Sequence, residues 1–374
     1  MKRFGIVSYN MYGNFTNYGS ALQTFALHRA INKLMPGKIE SIVVDYCPDI
    51  LKDKDVLNPI ENMWDADKEL RERCRLSLTA IRENYAKFKR FYATQYKKTT
   101  GFYDSTNFNE SFENESLDGY VCGSDTVFAV PEFGFDDGFY ANYDAMKKRS
   151  VAYAASFGDY DIPESDLAEL KEKLNNFNAI ALRENDKLSL VNHLTKIPVY
   201  KVIDPTLLLS SQDYEPIIKE PDINRPYLLL YSRRDNPNMQ ACAEQLAKNN
   251  GWEIVEISLN ARNADRHIMR YDAGVEEFLG LVKNAEMVIT NSFHGMIFAV
   301  QFKRPFYIFS RNLCNTKISE ILELFDINNR LITEEVPTNN KDIDYDYVHN
   351  RIRAARESSL LVLREELNSL IKDK

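Results

Sequence analysis

RFGIVSYNMYGNFTNYGSALQTFALHRAINKLMPGKIESIVVDY, residues 3–46, decides the fold. Arg3 to Asn10 is a short apolar run of strand length. The polar loop MYGNFTNYGS follows, and ALQTFALHRAINKL then spaces its apolar residues as a helix does, with Ser20 as the expected N-cap. SIVVDY, 41–46, is the next strand. Strand, loop, helix, strand is the opening of a parallel, doubly wound sheet, because two parallel strands need a crossover between them.

The same alternation continues along the chain. Strands are expected at DGYVCGSD (118–125), SVAYAASFG (150–158), FNAIALRE (177–184) and VYKVID (199–204). Residues 51–115 interrupt the series with charged, helix-patterned sequence. PTLLLSSQDYEPIIKEPDINRP, 205–226, is rich in proline and polar residues and is the expected linker. A second series then runs from PYLLLYS (226–232) through the helix NMQACAEQLAKNN, stopped by Gly251, and WEIVEISL, to VEEFLGLVKNAE, MVIT, a helix MIFAVQFK and PFYIFS. A charged amphipathic helix closes the chain from about 343. The expected organisation is a first domain over 1–210 with a helical excursion at 51–115, a second over 222–335, and a helix over 340–374 that packs back on the first. Ligands of such sheets bind at the C-terminal ends of the strands.

Composition bounds the function. The chain has 374 residues, 44% hydrophobic and 27% charged, and a formal net charge of −8. That balance disfavours a general nucleic-acid partner and leaves room for a local basic pocket. Five isolated cysteines, at 47, 74, 122, 242 and 314, suit reduced thiols and a cytoplasmic location. No apolar run approaches the length of a membrane span, so no transmembrane segment is expected, and peripheral membrane association stays open. The five histidines are scattered without HxH or HxxxH spacing, so no metal site is expected.

Five strand-end corners carry the polar residues. In GNFTNYGSALQ, Asn17, Gly19 and Ser20 precede a helix whose free N–H groups suit an anion, and equally they suit turn and cap. In VCGSDTVF, Ser124 and Asp125 follow a strand; Asp125 is either a base or sugar ligand, or a helix cap. Ser156 ends SVAYAASFG, where the small residues also fit tight packing. Arg183 ends the apolar strand FNAIAL, where a buried guanidinium needs an anion: a ligand, or Glu184, Asp186 or Asp204. In TNSFHG, 290–295, Asn291, Ser292 and Gly295 flank His294 in the first turn of a helix. Its ordinary pKa of about 6.5 suits proton transfer, and the alternative is a hydrogen-bonded core histidine.

NYGSALQTFAL, VCGSDTVF, YAASFG, LREND with IDPTLLL, and TNSFHGMIFAVQFKRPF, in that order, make the chain resemble the polysaccharide pyruvyl transferase family over residues 3–310. The resemblance implies two Rossmann-like domains facing across a GT-B-like cleft. It implies transfer of the pyruvyl group of phosphoenolpyruvate to a glycan or lipid-linked sugar as a ketal, with no bound cofactor. It places Arg183 on phosphoenolpyruvate and His294 in proton transfer, with Asp125 as the second acid–base candidate. The family often carries Arg-Leu-His where this chain has Ser292-Phe293-His294. A donor arginine is thus missing there, and Arg233, Arg234, Lys303, Arg311 and Lys317 are the candidate replacements. Two alternatives stand beside this function. One is a glycosyltransferase using a nucleotide sugar, with Glu256 on the ribose; the other is a catalytically idle sugar-phosphate binder.

Overall fold

The computed structural model describes residues 1–58, 77–258, 263–311, 315–333 and 342–372. Two parallel sheets form its frame. The first contains β1 (Lys2–Val7), β2 (Ile39–Tyr46), β3 (Lys98–Tyr103), β4 (Gly119–Cys122), β5 (Ser150–Ala155), β6 (Ala179–Leu182) and β7 (Val199–Lys201), in the order β3-β2-β1-β4-β5-β6-β7. The second contains β8 (Tyr227–Tyr231), β9 (Glu253–Ile257), β10 (Ile268–Met269), β11 (Met287–Thr290), β12 (Phe306–Phe309) and β13 (Leu331–Ile332), in the order β10-β9-β8-β11-β12-β13. Every residue of β4, β5, β6, β8, β11 and β12 is buried, as strands covered on both faces by helices must be.

The helices of seven or more residues among those described are α1 (Tyr18–Leu34), α2 (Leu78–Gln95), α3 (Leu167–Leu174), α4 (Leu188–Leu194), α5 (Pro237–Asn250), α6 (Val275–Asn284), α7 (Phe293–Gln301), α8 (Asn315–Phe325) and α9 (Tyr345–Lys372). None is long and apolar enough to cross a membrane. The expected fold class is borne out: two parallel α/β lobes with a long C-terminal helix.

Three details differ from the sequence expectation. Within the supposedly helical stretch 51–115, α2 is followed by β3, which pairs in parallel with β2 at the sheet edge. KTTGFY is built of β-favouring threonines and aromatics, but with only two buried residues it lacks an apolar run. The charged segment 59–76, with Cys74, lies outside the described residues, as does Cys314. Helix α1 begins at Tyr18, capped by Asn17 and not by Ser20. The linker candidate 205–226 is no loose tether at its start. Pro205, Thr206, Leu207, Leu208 and Leu209 are buried, and the Gln301 amide donates to the carbonyls of Thr206 and Leu209. Gly251 does end α5, in the left-handed region at φ +69°.

In both sheets the chain order reverses in the middle, between β1 and β4 and between β8 and β11. There the following loops diverge to opposite faces and leave a crevice. The two crevices face each other. Helix α1 lies between the lobes, and thirteen of its seventeen residues are buried. Tyr18 fastens it to the second lobe by stacking on Phe278 at 4.5 Å and donating to the Ala273 carbonyl at 2.6 Å. Helix α9 crosses both lobes. His349 binds the Val300 carbonyl near its start, Arg356 binds the carbonyls of Leu207 and Leu209, and Leu363 and Leu367 are fully buried further on.

Candidate active site

Each corner at the facing crevices is built by local rules. After β1, the Asn17 side chain accepts hydrogen bonds from the N–H groups of Gly19 and Ser20 at 3.0 and 3.4 Å, closing the N-terminus of α1. Ser20, one turn in, donates to Asp125 Oδ2 at 2.9 Å. After β4, a Cβ on Gly123 (φ +122°) would meet the Tyr153 carbonyl oxygen at 2.3 Å, so only glycine fits. The chain then turns through Asp125 at φ +74°. After β11, Ser292 caps α7 by accepting from Gly295 N at 3.2 Å. Asn291 is pinned from both ends, accepting from Arg233 N and donating to the Arg234 carbonyl, each at 2.8 Å.

His294 is 8% exposed and bridges the lobes. An added Cβ at Gly19 would lie 2.0 Å from its Nδ1, so the α1 backbone is one wall of the imidazole. On its other side, Nε2 stands 3.5 Å from Asp204 Oδ2, with no closer hydrogen-bond partner among the described residues. Asp204 Oδ2 also accepts from Arg183 Nη1 at 2.9 Å, while Oδ1 takes the Thr206 N–H and hydroxyl at 2.9 and 2.6 Å. Burial works to raise the Asp204 carboxyl. The charges of His294 and Arg183 and the Thr206 hydroxyl outweigh it and hold Asp204 well below the carboxylate range.

Arg183 has three carboxylates around it: Asp204, Glu184 Oε1 on Nε at 2.8 Å, and Asp125 Oδ1 at 3.8 Å from Nη2. Burial opposes its charge and these anions more than restore it. Its guanidinium plane also lies over the Phe293 ring, 5.3 Å from the centroid. The anion a buried arginine requires is thus supplied by the protein itself. Arg183 lines a side cavity of about 420 Å³ behind Phe293 and Lys317.

The cleft between the lobes has a volume of about 790 Å³. Asn17, Asp125, Asn291, Ser292, His294 and Lys317 all line it. The other expected site residues stand behind that surface. Ser156 is buried and donates to Glu184 at 2.8 Å, and Ser124 accepts from Asp125 N at 2.6 Å. Gly19 and Ser20 support His294 and Asp125. A Cβ on Gly295 would strike Thr290 Oγ1 at 2.7 Å and the Tyr231 ring at 2.9 Å, so this glycine serves packing. Of the five candidate replacements for the missing arginine, Arg233, Arg234, Arg311 and Lys317 line the cleft. Lys303 instead pairs with Asp346 at 2.8 Å on α9.

The cleft charges are mixed. Burial would raise the Asp125 carboxyl, but the positive charges of Arg183, Lys317 and His294 and the Ser20 hydroxyl hold it below its ordinary value. Its oxygens are engaged, Oδ2 by Ser20 and Oδ1 by Thr126 N at 3.0 Å. Glu256, the ribose candidate, is 2% exposed and does not line the cleft. Its oxygens take the Ser258 hydroxyl at 2.6 Å, the Asn263 amide at 2.9 Å and His267 Nδ1 at 2.6 Å. Among the aromatics of 133–143, Phe133 lines the cleft while Phe139, Tyr140 and Tyr143 belong to the first-lobe core.

Sequence alone missed two residues of this site, one buried beneath the cleft and one on its surface. Asp204 was visible only as a neighbour for Arg183; its reach to His294 depends on how the lobes meet. Glu132, in VPEF just past the Asp125 corner, lines the cleft without any local pattern to mark it.

The sequence profile of the family described as polysaccharide pyruvyl transferase matches residues 17–312. No curated protein matches the chain. Among solved structures, a putative UDP-N-acetylglucosamine 2-epimerase from Listeria monocytogenes superposes with a TM-score of 0.51 at 13% identity, covering 100% of this chain and 91% of that one. The UDP-GlcNAc 2-epimerase from Neisseria meningitidis, bound to UDP-GlcNAc, gives 0.48 at 11% identity, covering 98% and 99%. At these identities the likeness is one of fold, two facing α/β lobes.

Proposed function

The chain belongs to the polysaccharide pyruvyl transferase family, and on that premise we propose that it moves the pyruvyl group of phosphoenolpyruvate onto a sugar of a cell-surface glycan or its precursor, releasing phosphate. One observation supports this donor most directly. Arg233, Arg234, Arg311 and Lys317 converge on a cleft whose floor carries His294. Phosphoenolpyruvate has a carboxylate and a phosphate, so it needs several cations, and four lysine or arginine side chains in one cleft suit it in an otherwise acidic protein. Lys317, 9% exposed with its ammonium 5.8 Å from the Phe293 ring, and Arg233, stacked on Phe15 at 4.3 Å, take the place of the arginine absent at Ser292.

In this mechanism His294, protonated, gives its proton to the methylene carbon of the donor. The neighbouring carbon becomes oxocarbenium-like, and a sugar hydroxyl adds to it. Phosphate leaves with the carbon–oxygen electron pair, and a second hydroxyl closes the ketal. Asp204 stays ionised, 3.5 Å from the imidazole Nε2, and orients the ring. Arg183 acts from behind: by binding Asp204 it fixes the partner of His294. The basic wall stabilises the departing phosphate.

The test is phosphate release from phosphoenolpyruvate in the presence of sugar diols. His294→Ala is expected to lower transfer by about 10²–10⁴-fold while the thermal midpoint stays close to wild type. A variant that unfolds, or one that transfers at the wild-type rate, overturns the role of the imidazole. The glycosyltransferase alternative is tested in the same format: thermal stabilisation by nucleotide sugars and not by phosphoenolpyruvate would favour it.

A further inference from the structure

The two walls of the cleft differ in chemistry. The second lobe and α8 bring the cations Arg233, Arg234, Arg311 and Lys317. The first lobe brings Tyr9, Pro131, Phe133 and Tyr160, with the rings of Tyr9 and Phe133 5.0 Å apart, and among them the carboxylates of Asp125 and Glu132. A multiply charged donor belongs on the basic wall. An uncharged sugar ring belongs on aromatic faces, with a carboxylate to meet its hydroxyls.

Resting on the pyruvyl-transfer function, we propose that this aromatic wall is the acceptor subsite and that Glu132 is the base that takes the proton from the attacking sugar hydroxyl. Glu132 has what Asp125 lacks. Asp125 is buried, and its oxygens are engaged by Ser20, Thr126 and the Arg183 charge. Glu132 is exposed to the cleft, and among the described residues its carboxylate is oriented by two hydroxyls: Thr126 on Oε2 at 3.0 Å and Tyr160 on Oε1 at 3.2 Å. Each oxygen keeps a lone pair for a substrate. Thr126 also ties the two carboxylates together, because its N–H binds Asp125 while its hydroxyl binds Glu132.

Among the described residues, the charged and titratable groups facing Glu132 are Asp125, Lys317, Tyr160 and Tyr9. Enclosure by the cleft walls and the negative charge of Asp125 push the Glu132 carboxyl up. The Thr126 and Tyr160 hydroxyls and Lys317 pull it partly back. A base shifted toward neutrality is matched to its task, and two carboxylates driven apart are the pattern of divided roles.

The protons balance. His294 gives one to the methylene carbon, and Glu132 takes one from the first hydroxyl as the new carbon–oxygen bond forms. That proton leaves with the phosphate, which carries off the electron pair of the broken bond. The second hydroxyl's proton restores His294.

Glu132→Gln keeps the size and shape of the side chain and an acceptor for one of the two hydroxyls, while the other hydroxyl turns to accept from the amide NH2, and it removes the basic function. With phosphoenolpyruvate and the methyl glycosides of glucose, galactose and mannose as acceptors, transfer is expected to fall about 10²–10⁴-fold. The acid limb of kcat/KM against pH should vanish, while calorimetric affinity for phosphoenolpyruvate stays within twofold. Glu132→Asp, which keeps a carboxylate, should recover part of the rate and the acid limb. A Gln variant within threefold of wild type with the same acid limb overturns the base, and so does a loss of donor affinity equal to the loss of rate. Wild-type protein that releases no phosphate with any of these acceptors overturns pyruvyl transfer itself, and the base with it.

Discussion

Gly19 and His294 lie 275 positions apart in the chain and touch in the fold. Inside the first turn of a helix, alanine is ordinarily better than glycine by about 1 kcal/mol. Here the methyl group would sit 2.0 Å from the imidazole Nδ1. Gly19→Ala is therefore expected to push the ring away from Asp204, costing about 1–3 kcal/mol as overpacking does and slowing transfer at least tenfold. Thermal unfolding and initial rates measure the two effects separately; a variant with wild-type rate would mean that the ring's place between α1 and Asp204 does not matter. The sequence showed a glycine near a helix start and a histidine near another, but not that each explains the other. Arg183 carries the same lesson. Its need for anions was legible from its apolar strand. That Glu184, Asp204 and Asp125 all meet it depended on the packing of three different strand ends.

At the scale of the element, strands and helices with strong periodicity were legible and weakly patterned ones were not. The fully buried strands announced themselves as apolar runs, whereas β3, β10 and β13 are edge strands of two to six residues, none of them buried throughout. Helix α1 shows why polarity can mislead. His28 looks like a surface residue of an amphipathic helix, yet it is 6% exposed and its Nδ1 is 2.8 Å from the Ser41 hydroxyl on β2. Burial, aided by Arg29 and Lys97, lowers its pKa to about 4. The folded value lies below the unfolded one, so the unfolded chain binds the extra proton first. Stability from this site is complete above pH 6.5 and is lost as pH falls toward 4, by about 3 kcal/mol in all. Urea unfolding at pH 7 and pH 4.5 should show that loss, and His28→Gln should shrink the difference. An unchanged pH dependence in the variant would assign the acid sensitivity elsewhere.

At the scale of the whole molecule the two lobes are not independent. One continuous apolar core runs from Phe4 in the first sheet through α1 to Phe306 in the second and Leu370 on α9. Tyr18 is a principal rivet, with Asn84 sharing its Ala273 carbonyl and Lys87 pairing with Asp272 at 2.8 Å. Wild type is therefore expected to unfold in a single calorimetric transition. Tyr18→Ala, which removes a buried aromatic at a cost of about 3–5 kcal/mol by analogy with Phe→Ala, should split it in two and raise the radius of gyration in solution scattering. A single sharp transition at unchanged dimensions would show that the lobes are held mainly elsewhere. The sequence by itself determined the class of fold, the number of lobes and the corners that carry polar residues, because strand periodicity, caps and glycines are local and leave their mark within a few positions. It also carried the family, through five short stretches in fixed order. Only the tertiary structure decided which of those corner residues face the cleft, which support them from behind, and that Glu132 stands among them. Those outcomes depend on the relative placement of two sheets across an interface, and no local run of residues encodes a contact made between chain positions more than a hundred apart.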